Sequence, residues 1–412
     1  MKRTFILSLA LLGSLLNAQT LTLDDAINKA LSSHPDIKHF ILQVQKGTRG
    51  IEIAKSEYLP QLNLYAEYNP TKTYVFPVNG VFNTKEDDGW SASLSLHQKI
   101  WDFSKTTSNI DAQKQSTEGL KLSLLDAKAF LAYKVKLQYE LISVHKTAMR
   151  VRVKDLEAKT ALYNQAQALV EQGMKTKVDA SRFLSAVYSS QDTLAIAKAN
   201  FDKARNTLGI YIGEKIESDV LLDETLKSKN MVDEKTILND SPLLQTLQKN
   251  ITKSALAYKS LQSSHYGSID AIASYSRVGS LNEYDSSFAG VTLSVPLYSG
   301  GRTSALVEQA RLDKQSAHEI YNSKALALQE EIESIIIDIE RYVKSIKAKK
   351  AQLETASQTY NLLKARYAEG LATYIEVLDA SSLELSAELG LLNTQYERSS
   401  ALHKLEYLQG KI

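Results

Sequence analysis

The chain of 412 residues contains no cysteine. We therefore expect no disulfide, no thiolate metal site, no cysteine nucleophile and no lipid-modified amino-terminal cysteine. An excess of one charge is lacking too, because 49 Lys and Arg residues are matched by 47 Asp and Glu residues, and Lys2 and Arg3 account for the difference. A chain that is neutral beyond these two residues offers no general surface for nucleic acid.

Motifs for catalysis and for metal or nucleotide binding are missing as well. The seven histidines are scattered without a His-Glu-x-x-His pattern, and neither a phosphate-binding loop nor a Gly-x-Gly-x-x-Gly motif is present. We expect no metal site, no cofactor and no enzymatic activity. Any step that needs energy has to be driven by a partner.

Long hydrophobic runs are scarce, and the clearest one lies at the start of the chain. Lys2 and Arg3 precede an apolar stretch from Phe5 to Leu16, which is followed by Ala18. This stretch is shorter than the roughly 20 residues that a membrane-spanning helix needs. We predict a cleaved secretory signal peptide at 1–18, so the mature protein leaves the cytoplasm. A soluble exported protein and an outer-membrane strand protein both remain open at this point.

The remaining sequence consists of two similar halves. Early in each half Tyr68 aligns with Tyr275, an offset of 207 residues, whereas later Trp101 aligns with Tyr298, an offset of 197. The first half therefore carries ten extra residues, and the segment 69–89 around them contains prolines and an Asn-Gly and an Asp-Gly pair. These residues are typical of turns, so we place the insertion in a loop. The halves and the linker between them are 19–211, 212–233 and 234–412.

Proline is rare, and its six positions leave 78–241 and 297–412 free of it. Long helices are therefore permitted, and apolar residues that alternate at spacings of three and four between Ile332 and Tyr367 indicate a coiled coil. We predict long helices at 103–170 and 300–368, each about 100 Å in length.

A short break follows each predicted long helix. Gly173 and Gly370 stand where a helix end favours positive φ, and Thr176 and Thr373 can cap the helix that follows. We therefore predict two antiparallel helical hairpins, at about 103–211 and 300–409, with returning helices at 177–211 and 374–409.

Alternating apolar and small polar residues before each long helix predict four strands of about 8 to 10 residues. They form two hairpins, at about 61–100 and 268–297. The strands have the length of membrane-crossing strands, although a small water-soluble sheet has the same pattern. Isolated hairpins are marginal in water, and four strands cannot close a barrel, so several copies would have to pool their strands. The fold class is mainly α with a small β part.

Three motifs occur in a fixed order in the second half. They are Val-Pro-Leu-Tyr-Ser-Gly-Gly-Arg at 295–302, Arg-Tyr-Ala-Glu-Gly at 366–370 and Ile-Glu-Val-Leu-Asp-Ala at 375–380. Together with the twofold repeat, they make the chain resemble the TolC family of outer-membrane efflux proteins over essentially all of its mature length. The chain has no cysteine that could carry a lipid, and in this respect it resembles the non-acylated branch of that family.

The resemblance implies a homotrimer in the outer membrane of a Gram-negative cell. The pooled strands would form a 12-stranded β-barrel in contact with outer-membrane lipid, and the coiled-coil helices would form an α-barrel that extends into the periplasm. Such a channel is the passive exit duct of a tripartite efflux or type I secretion system. Its implied partners are a periplasmic adaptor protein and an inner-membrane pump, while the cargo is not encoded in these motifs.

The resemblance also assigns roles to residues near the two helical turns. Glu376 and Asp379 match an acidic ring at the channel entrance, and their spacing puts them on one helix face. A solvated helix start, where acids offset the helix dipole, has the same pattern. Gly173, Lys175, Lys177 and Gly370 mark the turns where the adaptor is expected to dock.

The entrance latch is implied in the same way. Tyr367 matches the latch tyrosine and Asp179 its acidic partner in the first half. A latch arginine of some family members falls on Ala372, so that bond cannot form here. Lys175 and Lys177 lie near the same turn, and we expect them to supply a substitute charge.

A secreted coiled-coil scaffold or adhesin without a pore is the alternative interpretation. It explains the heptads and the signal peptide, but it does not explain strands of membrane length or the matched helical turns.

Overall fold

The computed structural model describes residues 21–217, 233–279 and 283–412. The predicted signal peptide at 1–18 and residues 218–232 of the predicted linker lie outside these ranges. The elements, in chain order, are α1 (Leu23–Ser33), α2 (Pro35–Ser56), β1 (Gln61–Val78), β2 (Val81–Trp101), α3 (Lys105–Glu171), α4 (Lys177–Ile212), α5 (Glu234–Asp240), α6 (Pro242–Gln262), β3 (Ser268–Gly279), β4 (Tyr284–Ser294), α7 (Arg302–Ala368) and α8 (Tyr374–Leu408).

The two longest helices, α3 and α7, have 67 residues each, and they occupy the segments that the sequence predicts as long helices. The returning helices α4 and α8 have 36 and 35 residues. No proline interrupts any of these four helices, so the backbone hydrogen bonds continue over their full length. The fold is mainly α with a small antiparallel sheet, as predicted.

The four strands form one sheet in the order β1-β2-β3-β4, with every neighbouring pair antiparallel. Each strand therefore lies next to its neighbour in sequence. Strands β1 and β4 are the edges, and all of β4 is exposed. The edges of this sheet leave backbone hydrogen-bonding groups available for another chain.

The prediction that the ten-residue insertion lies in a loop is wrong. Strands β1 and β2 have 18 and 21 residues, not 8 to 10, and they pair to the turn at Asn79 and Gly80. Within the described ranges, pairing of β2 with β3 stops at Trp90, so the segment 72–87 is a two-stranded ribbon beyond the sheet. Pro77 in this ribbon and Pro70 just before it are tolerated because β1 is an edge strand.

The ribbon turns where both central residues have positive φ, 51° at Asn79 and 78° at Gly80. This is the backbone of a two-residue type I′ turn, for which Asn-Gly is the preferred sequence. The Asn-Gly pair is therefore a true turn signal, whereas Asp88-Gly89 lies within β2.

The junction between the sheet and a long helix has the same backbone in both repeats. Phe103 and Ser104 have φ of 54° and 72°, and at the offset of 197 residues Gly300 and Gly301 have φ of 62° and 81°. The first junction uses residues that disfavour this conformation. The buried Asp102 supports it, because its carboxylate accepts hydrogen bonds from the Tyr58 hydroxyl at 2.9 Å and from the Thr106 amide at 2.9 Å.

The chain divides into two compact units. The described residues of Met1–Ile37, Lys128–Asp233 and Ile332–Ile412 form one unit, and its core includes Val135, Leu162, Phe183 and Tyr367. The other comprises Lys38–Ala127 and Glu234–Glu331, and it contains the sheet and buried residues such as Ile110, Ile237 and Leu328.

Among the helices of the described ranges, none combines the length and the apolar character that a membrane crossing requires.

Candidate functional site at the two helical turns

The two helical turns are built in the same way. The Gly173 and Gly370 φ angles are 74° and 79°, and no atom lies within 4 Å of an added Cβ at either position. The Met174 amide donates to the Leu169 carbonyl at 2.9 Å, and the Leu371 amide donates to the Arg366 carbonyl at 2.8 Å. These bonds close a Schellman motif, in which a glycine with positive φ ends the helix.

Each returning helix begins with a capping box. The Thr176 hydroxyl accepts from the Asp179 amide, and the Asp179 carboxylate accepts from the Thr176 amide at 2.9 Å. Thr373 and Glu376 form the same pair of bonds, with 2.6 Å from the Thr373 amide to the Glu376 carboxylate. Both acids therefore stabilise the starts of α4 and α8.

The two residues predicted as an acidic ring differ in their environment. Both are exposed, but only the Glu376 carboxylate is bonded to the cap. Hydrogen bonds from the Thr373 amide and hydroxyl hold the pKa of Glu376 below its ordinary value, so this carboxylate stays charged to lower pH. Asp379 lies about one turn further along α8 and is exposed.

An aromatic core joins the two turns inside the chain. Phe183 on α4 and Tyr367 on α7 are fully buried, and their rings pack edge to face with centroids 5.4 Å apart. Tyr374 at the start of α8 packs against Phe183 at 6.4 Å. The sequence interpretation missed Phe183 and Tyr374. The repeat offers a signal for Phe183, because its counterpart 197 residues later is the small Ala380, which lies in the same core.

Lys175 lies across this core from the first turn to the second. Its Nζ donates to the Ala372 carbonyl at 3.2 Å and lies 5.1 Å from the centre of the Tyr367 ring. The contact joins two equivalent positions of the repeat, since Ala372 follows Lys175 by 197 residues. Lys177, the other predicted substitute, is exposed.

Tyr367 and Asp179 are near each other without a direct hydrogen bond from the tyrosine. The Tyr367 hydroxyl oxygen is buried and has no hydrogen-bond partner. Burial raises the pKa of this hydroxyl, and the negative charge of Asp179 adds to the effect. The hydroxyl therefore stays neutral, and the ring is the part of Tyr367 that contacts Phe183 and Lys175.

Arg366 is a second cation at the turn that the sequence interpretation missed. Its guanidinium donates to the Leu371 carbonyl at 3.3 Å, so it braces the turn that follows α7. Its charge also contributes to lowering the pKa of Glu376.

Exposed apolar residues flank both turns at equivalent positions. Met174 and Leu371 are 59% and 63% exposed, and Val178 and Ile375 are 59% and 61% exposed. Each pair is separated by 197 residues. Each turn thus presents an apolar surface of two residues, Met174 and Val178 at the first turn and Leu371 and Ile375 at the second. We call these two surfaces together the turn pair.

The model of the family described as outer membrane efflux protein matches residues 26–214 and 235–411. Outer membrane protein TolC of Salmonella enteritidis is 24% identical, over 99% of this chain and 85% of its own. The alkaline protease secretion protein AprF of Pseudomonas aeruginosa is 21% identical, over 96% of this chain and 86% of its own.

A solved structure of the outer membrane protein VceC from Vibrio cholerae superposes with a TM-score of 0.83 and 17% identity, over 94% of this chain and 96% of VceC. This likeness shows that the two chains share a fold.

Proposed function

Since the chain belongs to the family of outer membrane efflux proteins, we propose that it is an outer-membrane channel-tunnel, the exit duct for efflux or type I secretion. The match over both repeats, from residue 26 to residue 411, is the observation that carries this function. The helical hairpins extend into the periplasm, and the sheet lies in the outer membrane.

The channel is a homotrimer in which three sheets join through their edges. Among the residues that the structure describes, no strand of the same chain pairs with the outer sides of β1 and β4. Apolar residues of β4 are strongly exposed, with Val291 at 68% and Leu293 at 65%. A sheet that exposes both its edges and its apolar side chains is incomplete by itself, and contact with neighbouring copies and with outer-membrane lipid buries these groups.

A periplasmic adaptor protein docks on the helical turns around Gly173 and Gly370, and an inner-membrane pump supplies the energy. The turn pair supports this assignment, because exposed apolar residues at equivalent positions give a threefold channel six copies of one small docking surface. The channel itself is passive and recognises its partners, not its cargo.

Glu376 and Asp379 form the acidic ring at the periplasmic entrance. Both side chains are exposed on the first turns of α8, and a trimer brings six such carboxylates to one mouth. Rings of carboxylates favour cations in narrow pores.

Tyr367 and Lys175 hold the entrance closed together with Asp179. The Nζ of Lys175 contacts the backbone carbonyl of Ala372, the position that matches the latch arginine, and it lies over the ring of Tyr367. Asp179 contributes through its charge and through the cap of α4. We assign no role in the latch to Lys177.

Single-channel conductance in a planar bilayer tests the function and the ring together. We compare the detergent-purified wild type with Glu376→Gln, Asp379→Asn, since glutamine preserves the capping box while it removes the charge. The wild type is expected to give a small, cation-selective conductance, and the double variant is expected to lose the selectivity.

The control is Asp36→Asn, which neutralises an acid with a side chain 80% exposed at the start of α2. It should keep the selectivity of the wild type. A protein that stays in solution without detergent and gives no conductance would contradict the channel function. Conductance with unchanged selectivity in the double variant would contradict only the ring.

A further inference from the structure

Four ionisable side chains are buried together between α3 and α8. They are Lys136 and Glu140 on α3 and His403 and Glu406 on α8, near the end of α8 that is remote from its turn. The side chains of Lys136 and His403 are each 6% exposed, and those of Glu140 and Glu406 are 11% and 13% exposed. Burial of charged groups is unfavourable unless each charge is paired, so this cluster is stable only while its positive and negative charges balance.

The histidine ring connects the two acids. His403 Nε2 lies 2.8 Å from Glu140 Oε1, and Nδ1 lies 3.1 Å from Glu406 Oε2. Lys136 Nζ donates to the same Glu406 oxygen at 3.1 Å. An imidazolium donates from both ring nitrogens, whereas neutral imidazole donates from one and presents a lone pair at the other. Only the protonated ring therefore satisfies both carboxylates.

The charge balance leads to the same conclusion. With His403 protonated, the cluster holds two positive and two negative side chains. Loss of the proton leaves one negative charge in excess in a buried place. Glu140 is the more dependent acid, because its Oε2 is buried without a hydrogen-bond partner while Oε1 accepts from Ser399 at 2.7 Å.

The protonation of His403 is set by its neighbours. Burial lowers the pKa of His403. Hydrogen bonds to Glu140 and Glu406 and the charges of these acids raise it by more than burial lowers it, so the pKa lies above its ordinary value. Tyr396 also faces Glu140, and burial together with this charge raises the pKa of its hydroxyl, so it remains neutral. A histidine whose pKa is raised by folding stabilises the structure fully at about pH 6 and loses this contribution as pH rises through the raised pKa.

We propose that this cluster is a proton-dependent clamp, in which protonated His403 fastens α8 of the second helical hairpin to α3 of the first, and loss of its proton loosens the contact. All four side chains of the clamp belong to the chain itself, so the clamp needs no bound ligand. Its consequence for opening of the entrance rests on the proposed channel function, but the clamp itself does not.

Hydrogen exchange of the backbone amides of 396–408 tests the clamp in detergent-purified protein at about pH 6 and about pH 9, after correction for the intrinsic rates. The wild type should lose protection at the higher pH. His403→Gln leaves the negative charge in excess at both pH values and should exchange fast at both. Glu140→Gln restores the balance with a neutral histidine and should stay protected at both.

The matched control is His318→Gln, which replaces an exposed histidine on α7 and should behave as the wild type. Equal protection of the wild type at the two pH values would overturn the clamp, as would fast exchange in Glu140→Gln at the higher pH. Conductance of the same samples separates the two ideas. Absence of a channel at every pH contradicts the proposed function, while the exchange result still decides the clamp.

Discussion

Lys175 is the single cation whose described contacts run from one helical turn to the other. Its amine donates to the carbonyl of Ala372 and lies over the ring of Tyr367, so a positive charge meets a carbonyl dipole between the two turns. A hydrogen bond from a charged donor is stronger than one between neutral groups. At this residue scale, we expect the closed state to depend on Lys175 more than on the tyrosine hydroxyl.

Replacement of Lys175 by alanine should open the channel more often. The change removes the hydrogen bond and the contact with the Tyr367 ring, which together stabilise the closed turns by about 1 kcal/mol or more. The measurement is the open fraction of single channels in a planar bilayer, compared with the wild type.

Two variants serve as controls for Lys175→Ala. Lys177→Ala removes an exposed charge two residues away, and Tyr367→Phe removes a hydroxyl that has no hydrogen-bond partner but keeps the ring. Both should keep the open fraction of the wild type. If Tyr367→Phe opened the channel as strongly as Lys175→Ala, the hydroxyl would be the essential latch group and our assignment would be incorrect.

At the scale of the elements, the junctions between sheet and helix show how one backbone is built from two sequences. The second repeat uses Gly300 and Gly301 for two positive φ angles, whereas the first uses Phe103 and Ser104. The first junction therefore retains strain, which the bonds of Asp102 offset.

The variant Ser104→Gly should stabilise the protein by about 1 kcal/mol, because glycine adopts a φ of 72° without the steric cost of a Cβ. Thermal unfolding of the purified protein measures the gain. Ser104→Ala is the matched control and should give no increase, because alanine keeps the Cβ. An equal increase in both variants would show that loss of the hydroxyl, not relief of strain, is responsible.

The elements that the sequence predicts well are those with local signals. Helices α3 and α7 follow from the absence of proline and from apolar spacing, and the turns follow from glycine at the helix end and threonine three residues later. The sequence predicts a loop in place of the ribbon because proline and glycine are typical of turns. Its edge position, which makes proline acceptable, is a property of the sheet and not of the local sequence.

Long-range contacts could not be predicted from the same signals. Lys175 meets a carbonyl 197 residues away, and His403 meets Glu140 at a separation of 263 residues. The repeat predicts that the two turns are equivalent, and the sequence position of Lys175 next to Gly173 puts it at the first of them. The buried cluster around His403 lacks a repeated counterpart in the sequence, since 197 residues before His403 stands Asn206.

At the scale of the whole molecule, the twofold repeat distinguishes the elements that occur in both halves from those that occur in one half alone. Both repeats supply a long helix, a returning helix, a glycine turn and two strands of the sheet. The ribbon at 72–87 belongs to the first repeat alone, and within the described residues it pairs with no third strand. It is therefore an addition beyond the sheet, and we expect assembly through the sheet edges to be independent of it.

Removal of part of the ribbon should leave assembly and conductance intact. Deletion of Thr73 to Phe76 together with Asn83 to Glu86 removes four cross-strand pairs and retains the Asn79-Gly80 turn. An even number of pairs keeps the alternation of side chains and the pattern of the ladder on both sides of the cut. The oligomeric state in detergent and the single-channel conductance should equal those of the wild type.

The matched control deletes Ala271 to Ser274 together with Phe288 to Val291, four pairs inside the sheet, and should abolish assembly because it shortens the part that neighbouring subunits share. Loss of the oligomer in the ribbon deletion would show that the ribbon contributes to subunit contact and would contradict its independence from the sheet.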